Sequence, residues 1–125
     1  MGDRAQVKIV STHEDEPPVF LYTHWGAREL VDVVGRAIAR GERWNDMEYL
    51  GRIVFEQMLH DLSDPGRETG LGIGTRRHGD IWREVVLDLA EQKCLVYDHG
   101  DIRESVEFDR MEDVYTPTDF TPSPT

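Results

Sequence analysis

The order of the apolar periodicities constrains this chain most. Two successive stretches space their apolar residues as helices do, while the other apolar runs are short or alternate as strands do. Leu30, Val33, Val34, Ala37 and Ile38 form one helical stripe, and Arg28, Glu29, Asp32 and Arg36 lie on the opposite face. With Gly41 as a natural stop, a helix is predicted over 27–40. A second helix is predicted from Asn45, where Glu48 three residues on suggests a capping box and Trp44 a staple against Tyr49. Its stripe is Leu50, Ile53, Val54 and Met58, and Ser63-Asp64-Pro65-Gly66 is its turn signal.

Strands frame these helices. Gln6 to Val10 alternates, and a polar turn with Pro17-Pro18 leads to a second run, Val19 to Thr23, so the two pair as a hairpin. Gly70 to Thr75 reads as a glycine-rich strand, where glycine marks a bulge or a close approach. Segment 81–89 fits both periods: Ile81, Val85 and Leu89 suit a helix, while Val85, Leu87 and Leu89 alternating with Glu84, Val86 and Asp88 suit a strand. The strand is preferred. Cys94 to Tyr97 is a further strand, and Ile102, Glu104, Val106 and Phe108 alternate as the last. At 125 residues, one core is expected. The prediction is a single α+β domain over 1–115, an N-terminal β-hairpin and two consecutive helices packed on an antiparallel β-meander, with a flexible C-terminal tail over 116–125.

Charge narrows the function. The formal net charge is −11, which opposes direct binding of a nucleic-acid backbone but not of one small phosphorylated molecule in a locally basic pocket. Residues 80–125 hold twelve Asp and Glu against four Lys and Arg, an acidic surface, whereas residues 26–60 carry five Arg and six acids. Among fourteen basic residues only Lys8 and Lys93 are lysine. That bias is read first as coding composition, and second as a preference for the planar fork that grips carboxylate or phosphate.

A lone cysteine, Cys94, excludes a disulfide framework and reads as core filler, so a reducing, cytoplasmic setting is expected. No signal peptide and no membrane span is recognised. Metal signals are poor, with no His-Glu-x-x-His, no paired cysteines and no calcium loop, so no metal and no cofactor is expected. Nor does any serine sit in a nucleophile elbow, and no Gly-Lys-Ser/Thr follows Gly70, Gly72 and Gly74. His78-Gly79-Asp80-Ile81 and His99-Gly100-Asp101-Ile102 repeat at two predicted turns, roughly 10 Å apart at one end of a meander. They are read as turn vocabulary before a metal or acid–base site.

The corner at Thr23, His24, Trp25 and Gly26 is the candidate ligand-binding site. It offers a hydroxyl, an imidazole, a stacking indole and a flexible approach at a helix N-terminus that favours negative charge. Arg28 lies one turn into that helix and Arg52 projects from the next. Arg76 and Arg77 reach the same rim if the glycine strand pairs beside 19–23. The competing reading is that Trp25 and His24 plug one end of the core.

The string Leu21-Tyr22-Thr23-His24-Trp25-Gly26, the run Arg43-Trp44-Asn45-Asp46-x-x-Tyr49-Leu50-x-Arg52-Ile53-x-Phe55, and Gly70-Leu71-Gly72-Ile73-Gly74 resemble short uncharacterised proteins of tailed phages and of actinobacterial and haloarchaeal genomes. The resemblance covers roughly residues 19–100 and carries no catalytic assignment. It implies a phage or mobile-element origin and, by analogy of class, counter-defence by sequestering a nucleotide signal or occluding a host protein. Three functions are therefore ranked. Non-enzymatic binding of a small anionic, nucleotide-like ligand comes first, an acidic module for a basic host protein second and catalysis third. A homo-oligomer is expected.

Overall fold

The computed structural model describes residues 3–62 and 70–120. Its elements are β1 (Ala5–Val10), β2 (Val19–Thr23), α1 (Leu30–Ile38), α2 (Met47–Leu62), β3 (Leu71–Gly74), β4 (Arg83–Asp88), β5 (Lys93–Asp98), β6 (Asp101–Glu107) and α3 (Phe108–Val114). The six strands form one sheet in the order β3-β2-β1-β4-β5-β6. All neighbours run antiparallel except β1 and β4, which are parallel, so the hairpin and the meander are halves of one mixed sheet. The α+β class and the element order as far as β6 follow the sequence reading, and segment 81–89 is strand where it is regular.

Both helical stripes are buried as their spacing requires. Leu30, Val33, Val34, Ala37 and Ile38 of α1 and Leu50, Ile53, Val54 and Met58 of α2 pack on Ala5, Val7, Ile9, Leu21, Val85 and Val96 of the sheet. Cys94 shares this core, and burial pushes its thiol up to about 12. Apolar burial of this kind stabilises by about 25 cal/mol per Å².

Four local expectations are corrected. First, α1 starts at Leu30, because Gly26 turns the chain with φ +80 and residues 27–29 form a turn closed by the Glu29 N–H on the Gly26 carbonyl. Second, the cap of α2 is Asp46, not Asn45: its Oδ1 accepts the N–H groups of Glu48 and Tyr49 at 3.2 and 3.3 Å. Third, Trp44 does not staple Tyr49. Its indole donates to the Ile38 carbonyl and meets Phe108 edge-on at 5.6 Å, while Tyr49 lies under the Arg43 guanidinium. Fourth, Phe108 is not the last residue of a strand but the first of α3, a helix the alternation concealed. The ring is wholly buried, since the chain turns there to cover the core beside α1. The predicted stop Ser63-Asp64-Pro65-Gly66 lies outside the described residues.

Part of the expected tail makes specific contacts. Thr118 Oγ1 accepts a hydrogen bond from Gln57 at 2.8 Å, and the Phe120 ring lies against His60 and under Arg40.

The chain passes from β3 to β4 across the sheet face opposite the helices. There the His78 ring stacks on Tyr22 at 3.9 Å, and the backbone N–H of His78 donates to Gln6 Oε1 at 3.0 Å. Gln6 and Tyr22 are thereby buried although no helix covers them. Phe108→Ala should cost about 3–5 kcal/mol, because it empties a filled site; urea denaturation followed by circular dichroism measures the loss.

Candidate functional site

The corner at residues 23–26 is built for structure. Thr23 is fully buried; its hydroxyl donates to the Trp25 carbonyl at 2.6 Å and accepts the Trp25 N–H at 3.3 Å, so its one proton is spent and burial shuts its remaining lone pair away from a ligand. The Trp25 indole N–H donates to the carbonyl of Leu62, the last residue of α2, and the half-buried ring packs against the core. Gly70 is glycine because of this ring, since a Cβ there would lie 2.2 Å from the indole. Gly26 needs its left-handed φ, and a Cβ at that point would meet Leu62 at 2.6 Å. No ligand is required to explain these three residues.

His24 and the four arginines are exposed but do not converge on one hollow. His24 Nδ1 lies 3.2 Å from the Tyr22 hydroxyl. Burial, then the Asp80 charge, pushes that phenol above its usual range, so it keeps its proton. β3 does pair with β2, and it carries Arg76 and Arg77 onto the crossover, where Arg77 bonds Glu84 at 3.3 Å and Arg76 flanks His78. Arg52 sits in a separate groove on the helix side, paired with Glu56 at 3.2 Å. Only Arg28 lines the largest polar groove. The expected constellation therefore divides over three surfaces, because β2 turns its corner toward α2 while the crossover takes the opposite face.

That polar groove encloses about 1040 Å³ between Asp3, Arg4, Arg28, Glu29, Asp80, Ile81, Trp82 and His99. The two His-Gly-Asp turns do share one end of the sheet, as Asp80 and His99 both line it. They do not assemble a metal centre: among the described residues no group of three or more His, Cys, Asp or Glu could hold an ion.

Each wall is fixed from behind. Arg4 pairs with Asp80, and its Nε is buried with no hydrogen-bond partner among the described residues. The Trp82 indole donates to Asp3 Oδ1 at 2.9 Å, and the exposed His99 ring stacks on it at 5.8 Å. His99 reaches this position because it opens the two-residue β5–β6 turn with Gly100, both at positive φ as a type I′ turn requires. Below lies Arg83, which binds Asp98 through Nε at 2.7 Å and Nη2 at 3.0 Å, donates to the Ala27 carbonyl at 3.1 Å, and approaches the Trp82 ring to 4.8 Å. This bidentate bond holds the Asp98 carboxyl below the usual carboxylate range.

Sequence reasoning missed Arg4 and Trp82, which lie in no motif. The repeated His-Gly-Asp turns are the sequence signal for Asp80 and His99, and turn chemistry alone accounts for the repeat equally well. No protein-family model, no curated protein and no solved structure matches the chain. No helix among the described residues is long and apolar enough to cross a membrane.

Asp98→Asn should lower stability at neutral pH by about 1.5–3 kcal/mol, the worth of hydrogen bonds to a charged group. Because the folded pKa is depressed, the Arg83–Asp98 contribution is fully present above the unfolded carboxylate pKa and is lost as pH falls through the folded value. Melting temperature against pH should therefore show a shallower acid limb in the variant.

Proposed function

We propose that the protein is a non-enzymatic binder of a small phosphorylated, nucleotide-like ligand in the groove between Arg4, Arg28, Trp82 and His99. One observation carries the reading: two guanidinium groups and an exposed imidazole stacked on an indole line a single groove, beside three carboxylates of which two are already hydrogen-bonded. Arg28 has no ion pair among the described residues, so its fork is available to a phosphate. The carboxylates are mostly engaged, Asp3 by Trp82 and Asp80 by Arg4, which leaves Glu29 to accept sugar hydroxyls. The His99 ring offers a face for a base. A net charge of −11 sets a limit, since a long polyanion meets repulsion that a single nucleotide escapes. A chain that holds such a ligand without turning it over sequesters it, the counter-defence role that the phage resemblance implies.

Calorimetry against mono-, di- and cyclic nucleotides tests this. At least one member should bind, and Arg28→Ala should weaken it about tenfold or more, equivalent to roughly 1.4 kcal/mol. Arg52→Ala, in the other groove, should leave the affinity unchanged. Silence across the panel, or affinity indifferent to Arg28→Ala and His99→Ala together, removes the proposal.

A second reading rests on a separate observation: Asp101, Glu104 and Glu107 on β6 and Asp109, Glu112 and Asp113 on α3 are all exposed. Such a surface suits a basic host protein. Capture of that protein should weaken steeply with salt, and a complex that forms equally well at high ionic strength argues against it.

A further inference from the structure

The two edges of the sheet are unequally defended. β6 presents Asp101, Arg103, Glu104 and Glu107 to solvent and pairs across a register shift, devices that discourage a further strand. β3 has neither: it reads Leu71-Gly72-Ile73-Gly74, carries no charge, and pairs on one side only among the described residues. Ile73 is 63% exposed. Beside it, between α2 and the β2–β3 edge, runs an apolar groove of about 690 Å³ floored by Val19, Leu21, Phe55, Leu59, Ile73 and Phe120. An open edge strand continuous with an apolar groove marks an interface.

We infer that a second copy of this chain occupies this edge, with β3 pairing antiparallel to its counterpart across a two-fold axis at Ile73. Directly opposed residues in an antiparallel pair share a face, so Ile73 meets the second copy's Ile73 on the helix side and Gly72 meets the second copy's Gly74 on the other. The rim of the groove selects a second copy over an unrelated strand. Glu48, Arg52, Glu56 and His60 follow one another at four-residue spacing along the exposed edge of α2, acid and base in turn. Read in reverse against itself, this series sets Arg52 opposite Glu56, acid against base, with Glu48 and His60 at the two ends. Elsewhere two chains of charge −11 repel, while here the rim is close to neutral. α2 packs over β2 and β1 alike, which places the two α2 helices about four strand spacings, roughly 19 Å, apart. The long Arg52 and Glu56 side chains extend into that gap from both sides, over a shared apolar floor. The interface is isologous, and its two-fold closes.

Sedimentation velocity of the full chain over a range of concentrations tests this. The wild type should dimerise, and Ile73→Lys, an exposed change that leaves the core intact, should give a monomer with an unaltered circular dichroism melt. Arg52→Glu should raise the dimer Kd about tenfold or more by setting acid against acid, and Arg52→Glu with Glu56→Arg should restore it. A wild type that stays monomeric at every concentration overturns the inference. So does a dimer that tolerates Ile73→Lys, or one whose Kd ignores both charge variants.

Discussion

Because β2 and β1 stand between β3 and β4, and β4 runs in the same direction as β1 and β3, the chain that leaves β3 at one edge of the sheet must cross two strands and return to the opposite end before it can enter β4. A parallel pair cannot be closed by a tight turn, so a crossover of some length is obligatory. Here it carries no helix and lies on the face the helices leave uncovered. That path buries Gln6 and Tyr22 beneath His78, brings Asp80 to Arg4, and delivers Trp82 to the end of the sheet where His99 turns back. The polar groove is thus a product of topology. Residues from the first few positions, the α1 entry, the crossover and the β5–β6 turn meet there because one strand pair runs the same way.

How much of this was legible depends on which signals are local. The α1 and α2 stripes were readable because burial on one side imposes a 3.6-residue period, and the residues it marks are those the core contains. The strand at 83–88 was one of two readings its alternation allowed, and Cys94 to Tyr97 was readable as a short apolar run. Phe108 was not, because a strand that ends where a helix begins keeps its alternation by accident across the junction. The parallel register was invisible for a deeper reason: alternation fixes which face a residue occupies, not which strand lies beside it. The same limit governs the site. Thr23, Trp25 and Gly26 looked like ligand chemistry because a polar corner with an indole resembles a binding site and a structural latch equally. Only the partner of the indole N–H, the Leu62 carbonyl, separates the two.

Arg83 shows how the groove is kept in shape. One guanidinium holds Asp98 across the β4–β5 pair, takes the Ala27 carbonyl that precedes α1, and underlies Trp82. The strand pair, the helix entry and the aromatic wall are thereby referenced to a single rigid fork. The wall on the other side is the Arg4–Asp80 pair, half open to water and correspondingly adaptable. The groove is thus braced on the Arg83 side and more open to water on the Arg4 side.

Cys94 gives this chain a built-in clock. The thiol lies near the start of β5, between Leu87 of β4 and Val106 of β6, with no exposed surface, and burial holds it in its unreactive protonated form. A disulfide reagent can reach it only when the structure around the start of β5 opens, so the labelling rate counts those opening events. Since the sequence contains no other cysteine, that count comes from one address, and any guest that tightens the fold will slow it by the factor it stabilises.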